Sequence, residues 1–127
     1  RVLESEGTAS ISVYYRNSIL RLWPILRFIA WPLALLGGGL KGRGRESIFK
    51  IKDVDQIVRL YDGFDNPIGK SYTKDEFIKM LIPHSEVQET YLHFFPARTI
   101  PFKIPQAFHR WLDRNLGFMI YASLKKK

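Results

Sequence analysis

The chain has 127 residues and a net charge of +8, from 20 Lys and Arg against 12 Asp and Glu. That length holds one domain, and 46% hydrophobic with 25% charged residues excludes disorder over the whole length. Cysteine is absent, which excludes a disulfide scaffold, a thiolate zinc site and a cysteine nucleophile and fits a cytoplasmic location.

The chain opens on Arg1 and runs at once into a strand-like pattern, and it reads as part of something longer. Residues 8–15, rich in β-branched and aromatic side chains, predict a strand after a turn at Gly7. Their weak alternation suits a strand covered on both faces of a parallel sheet. Residues 18–36 are the most apolar stretch, but Arg21, Arg27, Pro24 and Pro32 interrupt it. A bilayer span needs about 20 nearly uncharged residues, and the prolines break a single helix into pieces. Short helices are predicted, with Trp23 and Trp31 near a boundary, closing over an active site, lying on a membrane interface or packing on another part of the chain. Residues 37–45 hold five of the nine glycines together with Lys41, Arg43 and Arg45. They form a flexible basic loop with no Walker pattern.

A short helix is predicted over 53–62, with Val54, Ile57, Val58 and Tyr61 on one face. The tract Asp62 to Gly69 is dense in turn formers. Thr73 and Glu76 stand in capping-box spacing and open a second helix, whose apolar face is Phe77, Ile78, Leu81 and Ile82 and which Pro83 stops. Residues 86–95 predict a strand ending before Pro96. A further helix around 107–116 presents Phe108, Trp111 and Leu112 to the core, with Gly117 as its C-cap. Residues 118–124 form a last strand, and Lys125 to Lys127 a solvated tail.

Charge is uneven. Residues 1–52 hold nine basic side chains against three acidic, residues 53–90 four against eight, and residues 91–127 seven against one. A basic surface favours anionic partners, but no RNP-type, KH or zinc pattern points to nucleic acid. The three histidines are too scattered for a local metal motif.

Strand, helices, strand, helix, strand is an α/β order. With its local motifs it resembles the C-terminal half of a class I S-adenosylmethionine-dependent methyltransferase, in the small-molecule branch. In that family a segment Arg-Val-Leu-Lys-Pro-Gly-Gly leads into the fifth strand of a Rossmann-like sheet. Here Arg1-Val2-Leu3-Glu4-Ser5-Glu6-Gly7 leads into Thr8. The tract Tyr61-Asp62-Gly63-Phe64-Asp65-Asn66-Pro67, with Tyr72-Thr73 beyond it, is similar to the family's Asp-Gly-x-x-Asn-Pro…Tyr-Ser tract. The resemblance implies that 1–127 is the C-terminal portion of the domain, holding the fifth, sixth and seventh strands, with 18–45 as an apolar insertion and basic loop. The seventh strand would insert antiparallel between the other two.

The family's glycine-rich cofactor loop and ribose-binding acid would both precede Arg1. The resemblance therefore implies S-adenosylmethionine as cofactor of the full-length enzyme, with no complete cofactor site in this chain alone. Because ligands bind outside the carboxyl ends of strands, Tyr14, Tyr15, Arg16 and Asn17 are placed at the substrate pocket, joined by Asp62, Asn66 and Tyr72 from the turn-rich tract. His93 is the candidate general base, while His84 and His109 are placed on the surface. Arg98, Lys103, Arg110 and Arg114 supply a basic surface or hold an anionic substrate. The acceptor is a small molecule, and the apolar insertion suits an apolar one. The alternative is a non-enzymatic module that binds a membrane surface or an anionic ligand through 18–36 and the basic loop. Self-association through an unpaired strand edge is also expected.

Overall fold

In the computed structural model, residues 7–35, 49–62, 69–97, 100 and 102–127 are described. The basic loop, the Arg-Val-Leu segment and residues 63–68, Asn66 among them, lie outside these.

Thr8 to Tyr15 form β1 as its β-branched content requires. Ser18 then caps a 3-10 turn at Ile19–Leu22, its hydroxyl accepting from the Leu20 N–H at 3.3 Å. The turn runs into helix α1, Trp23–Leu35. Pro32 sits inside α1 without breaking it, contrary to the expected fragmentation. Pro32 and Phe28 both face solvent, where water can take the carbonyl bond that proline forfeits. No helix among the described residues is long and apolar enough to cross a membrane.

Helix α2, Val54–Asp62, buries Ile57 and Val58 completely. A two-residue strand β2, Ser71–Tyr72, follows and was not foreseen. Helix α3, Lys74–Leu81, begins with the expected capping box. The Glu76 N–H donates to the Thr73 hydroxyl at 3.2 Å, and the Thr73 N–H donates to the Glu76 carboxylate at 2.8 Å. Phe77 and Leu81 face inward, but Ile82 lies beyond the helix and is exposed.

Strand β3, Ser85–His93, stops two residues earlier than its sequence suggested. Phe94 takes a positive φ of 72°, and this turns the chain off the sheet. Helix α4, Gln106–Leu116, buries only Leu112 of the three side chains assigned to the core. Phe108 and Trp111 lie on its outer side, stacked at 6.0 Å. Gly117 does end the helix, but with φ −51° and ψ 142° it is not a left-handed cap. A Cβ there would meet the Asp113 carbonyl at 2.5 Å and the His93 backbone at 2.7 Å and 2.8 Å, so close approach is what requires glycine. Strand β4, Met119–Lys126, takes in two of the lysines placed in a tail, and Lys127 Nζ donates to the Ile82 carbonyl.

The sheet is mixed, in the order β2-β1-β4-β3. β4 runs antiparallel to both β1 and β3, while β2 pairs parallel with Tyr14 and Tyr15 alone. β1 is therefore not the doubly covered parallel strand its weak alternation suggested, and much of it is exposed. On one face, Phe77 and Leu81 of α3 pack on Ile120, Ala122 and Leu124. A second cluster joins Leu20, Trp23, Ile57 and Val58 to Phe118, so α1 and α2 anchor near the carboxyl ends of β1 and β3. The architecture is α/β.

Candidate functional site

Tyr14 and His93 both pair with Met119, one from each side of β4. Two strand spacings, about 10 Å, separate them. The carboxyl ends of β1 and β3 therefore open on the same edge, where ligands of open α/β sheets bind. A cleft of about 650 Å³ lies there, lined by Tyr15, Lys74, Tyr91, His93, Asp113 and Arg114 among others.

His93 is the last residue of β3, and its imidazole pairs through Nδ1 with Asp113 of α4. The other Asp113 oxygen accepts the Phe95 N–H at 2.7 Å. That bond exists because Phe94 turns the chain and aims the next N–H at α4. Asp113 is 14% exposed and His93 56%, so the carboxylate is held from within and the imidazole is open to solvent. An acceptor on Nδ1 selects the Nδ1–H tautomer and leaves the Nε2 lone pair free to take a proton. A ring orientated by a carboxylate behind it is the arrangement of a general base. Tyr121 flanks His93 at 6.1 Å and stacks on Tyr91 at 5.3 Å, giving the neighbourhood an aromatic wall.

A second polar cluster secures the carboxyl end of β1. Arg16 donates to the Ser71 carbonyl at 2.7 Å and to its hydroxyl at 3.4 Å, and pairs with Glu76 at 3.3 Å. Asp55 accepts both the Ser71 hydroxyl and its N–H, the latter at 2.7 Å. Burial works against the ionised Asp55, but the two Ser71 bonds and the charges of Arg16 and Arg59 outweigh it and hold this carboxyl below the usual range. The Thr73 backbone bond, against some desolvation and helped by Arg16, lowers Glu76 as well. This cluster ties α2, β2 and α3 to β1 and is occupied with its own members.

Of the residues singled out from sequence, the cleft brings together Tyr15, His93 and Arg114. Tyr14 packs edge-to-face on Phe118 at 5.0 Å and joins the core cluster of α1 and α2, on the sheet face it shares with His93. Arg16 is a structural tie, and Asn17 accepts from Arg21 at 3.5 Å. Tyr72 packs in the α3 cluster beneath Lys70. Asp62 ends α2, and Asn66 lies outside the described residues. His84 is exposed as expected, whereas His109 is half-buried edge-on to Phe95. Asp113 and Lys74 escaped the sequence reading. Asp113 did carry a signal: it is the only acid among residues 91–127 and sits in the last turn of α4, where the helix dipole disfavours an anion. Among the described residues no cluster of His, Asp and Glu could hold a metal ion.

No protein-family model, no curated protein and no solved structure matches this chain.

Proposed function

We propose that the chain is the C-terminal part of a Rossmann-like class I methyltransferase, and that it supplies the acceptor side of methyl transfer to a small molecule in the cytoplasm. The observation that carries the reading is the insertion of β4 antiparallel between β1 and β3. It brings His93 and the cleft to the edge where the two flanking strands end.

S-adenosylmethionine, when bound to the full-length enzyme, supplies an electrophilic methyl carbon. The described residues do not fit that group. β1 leads through Arg16-Asn17-Ser18, with no glycine to admit a cofactor close to the backbone, into a turn whose Ser18 is itself buried. What these residues can do is bind and prepare the acceptor. Tyr91 and Tyr121 give an apolar body a wall beside the imidazole, Lys74, Arg114 and Glu89 line the cleft with charges of both signs, and His93 Nε2 takes the proton from an acceptor hydroxyl or amine while Asp113 steadies the imidazolium. Alignment of acceptor and donor supplies much of the remaining rate.

Calorimetry with S-adenosylhomocysteine tests the reading, using the protein of the complete reading frame and this chain side by side. The expected result is binding by the complete protein alone. Micromolar binding by this chain would overturn the placement of the cofactor site. Absence of binding by the complete protein would overturn the methyltransferase reading itself. In the active protein, His93→Gln should lower labelled-methyl transfer by about 10²-fold or more.

A further inference from the structure

Helix α1 is apolar on both sides. Trp23, Leu26 and Ala30 face the core, whereas Leu22 before the helix and Ile25, Phe28, Ile29, Trp31 and Leu35 within it are exposed, Phe28 at 71%. Burying only one side of such a helix leaves a continuous apolar strip about 20 Å long over its 13 residues. Patches of that kind mark a docking surface.

The charge flanking the strip in sequence argues for its occupant. From Gly7 to Lys52 the sequence holds eight Lys and Arg against a single acid, Glu46. Arg21 stands exposed at the start of the strip. Arg27 lies over the Phe28 ring at 5.0 Å and lines a cleft of about 240 Å³ with Phe28, Trp31 and Phe49. Its Nε is buried and has no hydrogen-bond partner among the described residues. The half-buried Arg27 sits at the rim of an apolar strip whose described outward side chains within α1 offer only the Trp31 indole N–H for polar pairing, so the strip itself holds no acceptor for the guanidinium. Apolar side chains entering acyl chains, a tryptophan at the boundary and arginines at phosphate level are the parts of an interfacial helix.

We propose that α1 docks this protein in the plane of an anionic phospholipid surface, with Ile25, Phe28, Ile29 and Trp31 in the acyl boundary and Arg27 on a lipid phosphate. The proposal rests on α1 and the charges that flank it in sequence, and uses no residue of the His93 cleft.

The test is co-sedimentation of the chain with phosphatidylcholine vesicles, with and without phosphatidylglycerol, together with tryptophan quenching by brominated lipid. Binding to the anionic vesicles with quenching is expected. Ile25→Ser with Phe28→Ser should weaken it by about tenfold or more, at unchanged circular dichroism because both side chains point outward. Arg27→Gln should remove about fivefold and lessen the anionic preference. Trp31→Phe should abolish most of the quenching while binding persists. The proposal falls if the chain binds neither vesicle, if it binds both equally, or if the Ile25, Phe28 double variant binds like the parent. It also falls if light scattering shows copies of the chain covering α1 in place of lipid.

Discussion

Replacing Asp113 tests whether its carboxylate orients His93 or merely fills space. Its two oxygens have different tasks, one accepting the Phe95 N–H at 2.7 Å and the other pairing with His93 Nδ1. Phe95 is only 8% exposed, so in Asp113→Ala its N–H loses its acceptor and gains little water. An unsatisfied donor of that kind costs about 1–3 kcal/mol. The His93 bond is more than half exposed and adds only about 0–1 kcal/mol. Asp113→Ala should therefore lower stability by about 1–4 kcal/mol. Asp113→Asn keeps an oxygen for Phe95 and should cost less than about 1 kcal/mol. Its amide, however, donates toward Nδ1 and so favours the opposite tautomer, with the proton on Nε2. Urea unfolding followed by circular dichroism measures the stabilities, and long-range proton–nitrogen spectra of the imidazole report the tautomer. The reasoning fails if Asp113→Asn is as destabilising as Asp113→Ala, or if His93 keeps its tautomer when the carboxylate is gone.

Three further outcomes follow from the packing. Asp55 titrates below its ordinary range when folded, so on acidification the unfolded chain takes up the proton first and stability falls as pH drops through about 5 to 3. The stability gap between the parent and Asp55→Asn should shrink across that window in urea melts, and a gap independent of pH would contradict the assignment. Gly117→Ala places a methyl group against three backbone atoms that cannot swing aside, and should destabilise by about 2 kcal/mol or more; a neutral result in the same assay would mean that the α4–β3 approach relaxes freely. Thr73→Ala removes half of the capping box and should cost about 1 kcal/mol, with helix α3 fraying first in amide exchange.

Elements whose signals are local were legible in the sequence. Thr73 with Glu76 located the start of α3, the spacing of Ile57 and Val58 located the buried face of α2, and the β-branched run located β1. What escaped depends on contacts between distant residues. β2 is two residues long, and Arg16 and Asp55 help its short backbone pairing hold Ser71 against β1. Phe108 and Trp111 satisfy the helical period as well as Leu112 does, and only the position of β3 decides which of them is buried. For the site, the sequence suggested His93 from residue type and Tyr15 from strand position. The carboxylate that orients His93 lies 20 residues further on, brought back by a turn at Phe94 that no local pattern announces.

The pairing of β1 with β4 carries a consequence for how the chain is made. Thr8 pairs with Lys125, and nearly the whole length of the chain lies between them. β4 is also the strand that joins β1 to β3. Until β4 has been synthesised, β1 and β3 have no common neighbour, and Phe77 and Leu81 lack the residues on which they pack. Such a sheet forms late and slowly, because the loop must close before any pairing rewards it. On a ribosome, helices α2 and α3 emerge with their apolar faces open, and the fold closes only after Lys126 clears the exit tunnel. An arrest-peptide force profile should accordingly stay flat through α4 and rise in one step after β4, whereas an earlier rise would mean that the N-terminal elements dock without their central strand.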